Sequence, residues 1–203
     1  MYIRNTKKDI AKLVDFRRSF EYIKEIKTLT QEHFEQLKSE LIEEFESHKI
    51  TQEIDAGENS QNISGTLDGI GNLYTFIGFD ATSNPDPLEP IRKAFSKIQL
   101  TAVIISRDGS SRSTILYPSP DDIFRITPLP WAEGRSWAKG IESGMSGFGK
   151  YLSLEEESPK SRSGKGLQAK PKIRGGKFSN TPYISSMIRS FEKNIKNLND
   201  IVI

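Results

Sequence analysis

Residues 127–151, TPLPWAEGRSWAKGIESGMSGFGKY, constrain the fold of this chain more than any other segment. They contain both tryptophans, five of the fifteen glycines and two of the ten prolines. Because glycine costs roughly 1 kcal/mol against alanine at each interior helix position, the segment makes a poor isolated helix. Large aromatic side chains among glycines favour an irregular or strand-like segment that is held by contacts outside itself. Three kinds of partner are open: a ligand, a nucleic acid or another protein chain.

Composition points to a chain that is partly ordered by its partners. Only 35% of the residues are hydrophobic in a count that omits glycine, which is low even against the figure of about 45–50%, glycine included, for ordinary globular domains. The sequence has no apolar run of about 18 residues, so we expect no membrane span, and its first residues lack the apolar block of a signal peptide. The absence of cysteine excludes disulfide scaffolds, thiolate metal sites and cysteine nucleophiles, and it favours an intracellular origin.

Charge is divided unevenly along the chain. The net charge is only +2, yet residues 158–203 hold ten basic and two acidic side chains, a balance of +8. The preceding 157 residues hold 19 basic and 25 acidic side chains, a balance of −6. A chain of this kind can pair head-to-tail with copies of itself or place its basic end on an acidic partner such as DNA, although a solvated basic loop is the simpler interpretation.

The N-terminal half is predicted to contain one long helix. Apolar residues at helical spacing predict an amphipathic helix over residues 30–47 with Thr30 as its N-cap. Residues 1–29 are expected to form an N-terminal arm or a further helix, and residues 30–203 a single domain. Residues 51–72 are rich in Gly, Asn, Ser and Asp, which is typical of a polar loop.

The middle of the chain is predicted to alternate strands with short helices. Residues 73–79 (LYTFIGF) are aromatic and β-prone, which predicts a buried strand. Asp86 is placed to cap a short helix that follows Pro87. An Asp-Gly pair between residues 100–106 and 112–117 predicts a β-hairpin.

The remaining elements complete the predicted fold class. Residues 121–126 suit one helical turn, and a C-terminal amphipathic helix is predicted after Thr181-Pro182. The predicted fold is α+β: a small antiparallel sheet packed with a long helix in the N-terminal half, a short helix and a C-terminal helix, with extended loops or arms.

A phosphate-binding loop is the most tempting motif in the sequence. Gly144, Gly149 and Lys150 have its spacing, but Tyr151 stands where that loop requires Ser or Thr for magnesium. Such a loop also requires a strand before it and a helix after it. Residues 140–143 make only a weak strand, and Leu152 leads directly into an acidic run and a proline. We therefore interpret the match as chance in a glycine-rich segment.

Other catalytic or metal-binding patterns are also weak. His33 and His48 are the only histidines, and their separation is too large for joint ligation from one helix turn, so we interpret them as solvent-facing or capping residues. The adjacent carboxylates of Asp121 and Asp122 diverge rather than converge, and no serine nucleophile motif is complete. We expect a protein that is not an enzyme and that has no cofactor and no metal site.

The basic loop at residues 158–178 is a candidate contact with DNA or with an acidic protein. Its glycines would let the backbone approach phosphates, but few aromatic residues lie nearby, so any nucleic-acid contact should be independent of base sequence. The candidate contact residues are Lys160, Arg162, Lys165, Lys170, Lys172 and Arg174.

An ordered set of motifs resembles virion neck proteins of tailed bacteriophages, of the head–tail connector or tail-completion type. The motifs are EEFESHKITQEIDAG, NISGTLDGIGNLYTFIGFD, DPLEPIRKAF, ITPLPWAEGRSWAKGIESGMSGFGKYL, SRSGKGLQAK and GGKFSNTPYISSMIRSFEKNI. They cover the chain from Phe45 to about Leu198 and carry no catalytic chemistry. A tail-terminator or baseplate protein shares the pattern equally well, and residues 1–29 lie outside it.

The resemblance implies a structural protein that assembles in the host cytoplasm into an oligomeric ring between portal and tail. It implies a virion location and docking on other neck, portal or tail proteins, with possible non-specific contact to phage DNA and no membrane. The residues expected at protein interfaces are Trp131, Arg135, Trp137, Phe148 and Tyr151. For both tryptophans the alternative is a place in the core of the subunit. The rival function is a DNA-binding accessory protein without base specificity.

Overall fold

The computed structural model describes residues 19–67, 71–81, 86–106, 111–130, 132–144, 152–153, 167–168 and 178–198. Its α-helices are α1 (Phe20–Ser47), α2 (Lys49–Asp55), α3 (Leu73–Ile77), α4 (Glu89–Ser96), α5 (Pro120–Arg125), α6 (Trp137–Ser143) and α7 (Ile184–Leu198). Its strands are β1 (Gln99–Ile105), β2 (Ser111–Leu116), β3 (Pro128–Leu129), β4 (Ala132–Ser136), β5 (Leu152–Ser153) and β6 (Leu167–Gln168). A 3-10 turn covers Gly57–Asn59.

Within these ranges the strands form two-stranded antiparallel sheets, which pair β1 with β2, β3 with β4, and β5 with β6. The α+β prediction is confirmed, and so are the hairpin, the short helix α4, the helical turn α5 and the C-terminal helix. The Asp-Gly pair between β1 and β2 lies outside the described residues.

The chain divides into two compact units. The first draws on residues up to Glu40, on Ile98–Tyr117 and on residues from Ser190 onward. The second is made of Leu41–Lys97 and Pro118–Arg189. The boundary that the sequence predicts at residue 30 falls inside α1.

The predicted start of the long helix is wrong by ten residues. The helix begins at Phe20, where Ser19 Oγ accepts a hydrogen bond from Tyr22 N at 3.2 Å. Thr30 is an interior residue, and its hydroxyl donates to Ile26 O at 2.7 Å. Threonine makes this bond to the preceding turn within helices, so the residue that resembled a cap satisfies its hydroxyl without ending the helix.

In the first unit the β1–β2 hairpin presents one face to solvent. Opposed residues alternate between half-buried and exposed along both strands, as the pleat requires. The exposed face includes Ile104 and Leu116, whose exposed fractions are each 58%. In the same unit, Tyr117 packs edge-on against the buried Phe191, with ring centroids 5.8 Å apart.

The core of the second unit is an aromatic cluster around Tyr183. Its ring lies 6.1 Å from that of Phe45, 4.9 Å from that of His48 and 6.4 Å from that of Trp137. Tyr183 is fully buried, and its hydroxyl is satisfied by Thr51 Oγ1 at 2.7 Å. Burial raises the pKa of Tyr183, so this phenol stays neutral.

The segment predicted as a polar loop over residues 51–72 is organised by a buried carboxylate. Residues up to Asp55 belong to α2, so the first part of that prediction is wrong. Glu53 is 0% exposed and accepts hydrogen bonds from Leu73 N at 2.7 Å, from Ser64 N at 2.9 Å and from Asn62 Nδ2 at 2.9 and 3.1 Å. All of these partners are donors, as an ionised carboxylate requires. The loop is therefore tied to α2 by one side chain.

The predicted strand over residues 73–79 is wrong, because its first five residues form α3. Asn72 Oδ1 accepts from Thr75 N at 2.9 Å and caps the helix start. Gly78 ends the helix at φ 97°, with its own N and Phe79 N donating to carbonyls of the last turn. The two end signals, Asn72 and Gly78, enclose five residues and override their β-prone composition.

Helix α4 is fixed by the predicted cap and by an arginine. Asp86 Oδ1 accepts from Leu88 N and Glu89 N, both at 3.0 Å, although the helix itself begins at Glu89. Arg92 forms ion pairs with Glu46 at 2.8 Å and with Asp55 at 2.9 Å. The bond to Glu46 is the main reason why the pKa of Arg92 is raised.

We predict that Glu53→Gln destabilises the protein by about 2 kcal/mol, because the amide NH2 would face backbone donors in a buried site. The measurement is the free energy of unfolding in urea. Glu43→Gln is the matched control, since Glu43 is exposed on α1 and should change the free energy by less than about 0.5 kcal/mol. Equal effects in the two variants would show that Glu53 does not organise the loop.

A second prediction concerns pH. Burial lowers the pKa of His48, whose Nδ1 accepts from Ile50 N at 3.3 Å as the cap of α2. Below the unfolded pKa of about 6.5 the unfolded chain binds a proton that the folded chain does not, so stability should fall as the pH drops through this region. His48→Asn keeps a capping oxygen without the titration and should give a shallower slope in urea unfolding between about pH 7.5 and 5.5. If the free energy of unfolding changes with pH equally in the wild type and in His48→Asn, His48 is not the group responsible for the pH dependence.

Candidate protein-docking site

The described part of residues 127–151 folds as the β3–β4 hairpin followed by α6. Thr127 links its two sides: its hydroxyl donates to Ile123 O at 2.9 Å, and its carbonyl accepts from Trp137 N at 2.9 Å. Ser136 Oγ lies 2.8 Å from Thr127 Oγ1 and accepts from Lys139 N at 3.1 Å, which caps α6. Both hydroxyl residues are buried. The end of α5 and the start of α6 are thereby held in a fixed arrangement.

A bulge in β4 carries Arg135. Pro128 pairs with Ser136 and Leu129 pairs with Ala132. Residues 133–135 of β4 therefore have no partner in β3 and form the bulge. Gly134, in the middle of these three, has φ 71°, a left-handed conformation that glycine adopts without steric cost. The bulge leaves Arg135 exposed beside α5.

Trp137 is a core residue of the second unit. Its side chain is 1% exposed and packs edge-on against Phe79, with ring centroids 5.7 Å apart. Of the two alternatives for this tryptophan, the structure gives the core position, since a ring buried within its own chain has no surface to offer a partner. The composition argument against a helix is also overturned here, because Trp137 begins α6. The Ser136 cap and the packing of α6 outweigh the cost of Gly140.

A groove of about 390 Å³ lies between α5, β4 and the start of α6. We call it the basic groove; it is lined by Asp121, Phe124, Arg125, Pro128, Gly134, Arg135, Ser136 and Lys139. Three cationic side chains thus face one carboxylate. Lys139 Nζ lies 5.8 Å from the centroid of the half-buried Phe124 ring, a cation–π contact.

The cations of the basic groove are largely available for a ligand. Arg125 forms an exposed ion pair with Asp122 at 3.0 Å, while its side chain stays 76% exposed. Within the described segments, Arg135 and Lys139 have no ion pair. Asp122 is itself engaged in the capping box of α5, and the hydrogen bonds from the Ser119 hydroxyl and backbone lower the pKa of this carboxyl.

The structure separates the residues that the sequence predicted as one interface. Arg135 lies in the basic groove, and Trp137 lies in the core. Trp131, Phe148 and Tyr151 lie outside the described residues. The same holds for the six predicted basic contacts, Lys160, Arg162, Lys165, Lys170, Lys172 and Arg174.

Sequence reasoning missed Phe124, Arg125 and Lys139. Arg125 and Phe124 lie on the predicted turn at residues 121–126, but only the bulge and the Ser136 cap bring this turn close to Arg135 and Lys139. The segment before Gly144 is a helix and not the strand that a phosphate-binding loop requires.

Comparison of the chain with protein-family models, with curated proteins and with solved structures finds no match. None of the helices in the described segments is both long enough and apolar enough to cross a bilayer. In those same segments no group of three or more His, Asp or Glu side chains is placed to hold a metal ion.

We predict that Ser136→Ala lowers the free energy of unfolding by about 1 kcal/mol, because Lys139 N loses its capping acceptor at the start of α6. Urea unfolding measures this. Ser186→Ala is the control, since Ser186 is exposed on α7 in the same unit. A loss in Ser136→Ala no larger than that in the control would contradict the role given to Ser136.

Proposed function

We propose that this chain is a structural protein of a tailed-phage virion that docks on copies of itself to form a ring in the neck. Its further partners would be portal or tail proteins, and its final location the virion. The proposal includes no enzymatic activity. It rests on the ordered set of motifs that resembles neck proteins together with the surface that one of those motifs forms.

The basic groove is the structural feature that best supports this proposal. In the motif ITPLPWAEGRSWAKGIESGMSGFGKYL, Trp137 lies in the core, whereas Arg135 and Lys139 are exposed. Lys139 lies over the ring of Phe124. Arginine and aromatic side chains are enriched at protein interfaces, where a few such residues supply most of the binding energy. This arrangement supports docking on a protein surface.

The exposed face of the β1–β2 hairpin adds apolar surface to the first unit. Burial of the exposed side chains of Ile104 and Leu116 against another subunit would stabilise an assembly. Among the described strands neither edge of this hairpin pairs with a third strand, and a sheet edge of this kind can pair with a strand of another chain. Both features suit a subunit that buries surface in an oligomer.

The uneven charge along the chain supports a ring in particular. A balance of −6 before residue 158 and +8 after it suits contacts between different surfaces of neighbouring copies. Head-to-tail contacts of this kind form closed rings when the rotation between copies closes.

DNA binding without base specificity is the second candidate, and the ten basic residues of the C-terminal region favour it. A gel shift with duplex DNA of random sequence tests it. Binding that falls steeply with salt, and that is lost when Lys165, Lys170, Lys172 and Arg174 are changed to Gln, would support this alternative.

Sedimentation velocity of the purified protein tests the proposed function. We expect one discrete species of several copies that keeps its sedimentation coefficient over a wide concentration range, because a closed ring leaves no free interface for further growth. A protein that sediments as a monomer at all concentrations would overturn the proposal.

A further inference from the structure

We propose that the basic groove binds an acidic peptide segment, Glu155–Glu156–Glu157, of a neighbouring copy of this chain. This inference rests on the proposed function, and it names the contact that would join one subunit to the next.

The groove offers cations whose positions are fixed by the backbone. Arg135 follows Gly134 on the bulge of β4, and Lys139 lies in the first turn of α6, directly after the Ser136 cap. Arg125 lies at the end of α5 and is held by its bond to Asp122. Because both short helices are joined through Thr127 and Ser136, the three cations approach a ligand without a large rearrangement of the backbone.

The lining of the groove favours a peptide over nucleic acid. Phe124 and Pro128 give the groove an apolar part that can contact the methylene groups of glutamate side chains. Duplex DNA usually requires a longer stripe of basic residues, since such complexes make about 6–10 phosphate contacts.

The segment 155–157 is the only run of three consecutive acidic residues in the sequence, and it follows β5 by one residue. Three carboxylates match the three cations of the groove, and charge-assisted bonds from arginine to carboxylate are among the stronger hydrogen bonds in proteins. A neighbouring copy supplies one such segment for every groove, so each contact in a closed ring is satisfied.

A labelled peptide with the sequence of residues 152–160, LSLEEESPK, tests the groove by fluorescence anisotropy. The full-length acceptor carries Glu155→Lys, Glu156→Lys and Glu157→Lys, so that its own segment does not compete. We expect binding that weakens with salt and that falls roughly tenfold when Arg135→Gln and Lys139→Gln are added. The matched control adds Lys49→Gln and Lys97→Gln, which remove two exposed charges of the same unit outside the groove and should leave binding unchanged.

The peptide assay separates this inference from the proposed function, because it does not require assembly. Equal binding by the groove and control variants, or equal binding of a peptide with Gln at 155–157, would overturn the inference even if the wild-type chain forms rings. Loss of duplex DNA binding, but not of peptide binding, in the groove variant would also overturn it, in favour of nucleic acid.

Mixing two chains tests whether the contact joins neighbouring copies. One chain carries Arg135→Glu and Lys139→Glu, and the other carries the three glutamate-to-lysine changes. Neither should assemble alone, whereas the mixture should sediment as a larger species, because each groove then meets a segment of opposite charge on the other chain. If only a single chain with all five changes assembles, the segment binds its own groove and the inference about neighbouring copies is wrong.

Discussion

The buried carboxylate of Glu53 holds the polar loop and the start of α3 in the second unit through its hydrogen bonds. Among the described residues it has no ion-pair partner, and a buried charge is tolerated in a protein interior only when hydrogen bonds replace its lost hydration. Leu73 N, Ser64 N and the amide of Asn62 provide these bonds. One side chain of α2 therefore fixes a polar loop that contributes little apolar surface, and it places the start of α3. Phe79, two residues after the end of α3, then packs against the ring of Trp137.

The packing of this core positions the candidate docking site. Trp137 is anchored between Phe79 and Tyr183, so the first turn of α6 has a fixed position. The Thr127 and Ser136 hydroxyls then connect α6 to α5. The cations of the basic groove are exposed, but Arg135 precedes the buried Ser136 and Lys139 follows the buried Ala138 in the chain. Exposed ion pairs contribute little to folding stability, so charges placed in this way are more easily explained by binding than by stability.

The fold class, the hairpin and the amphipathic helices could be predicted because their signals are local and periodic. The stretch at residues 73–79 could not, since its aromatic composition favours a strand and only the bonds of Asn72 and Gly78 decide for a helix. Thr30 resembled a cap because a sequence does not show whether a hydroxyl bonds to the turn before or after it. Arg135 was identified as a candidate from its motif, but Arg125 and Lys139 join it only through a bulge and a tertiary hydrogen bond. Such contacts leave no periodic trace in the sequence.

Copies of this chain are proposed to close into a ring, and electron microscopy of the purified protein in negative stain tests this proposal. We expect closed rings with one copy number and equivalent subunits. Images of single small particles at every concentration, or of open filaments that grow without closing, would contradict it.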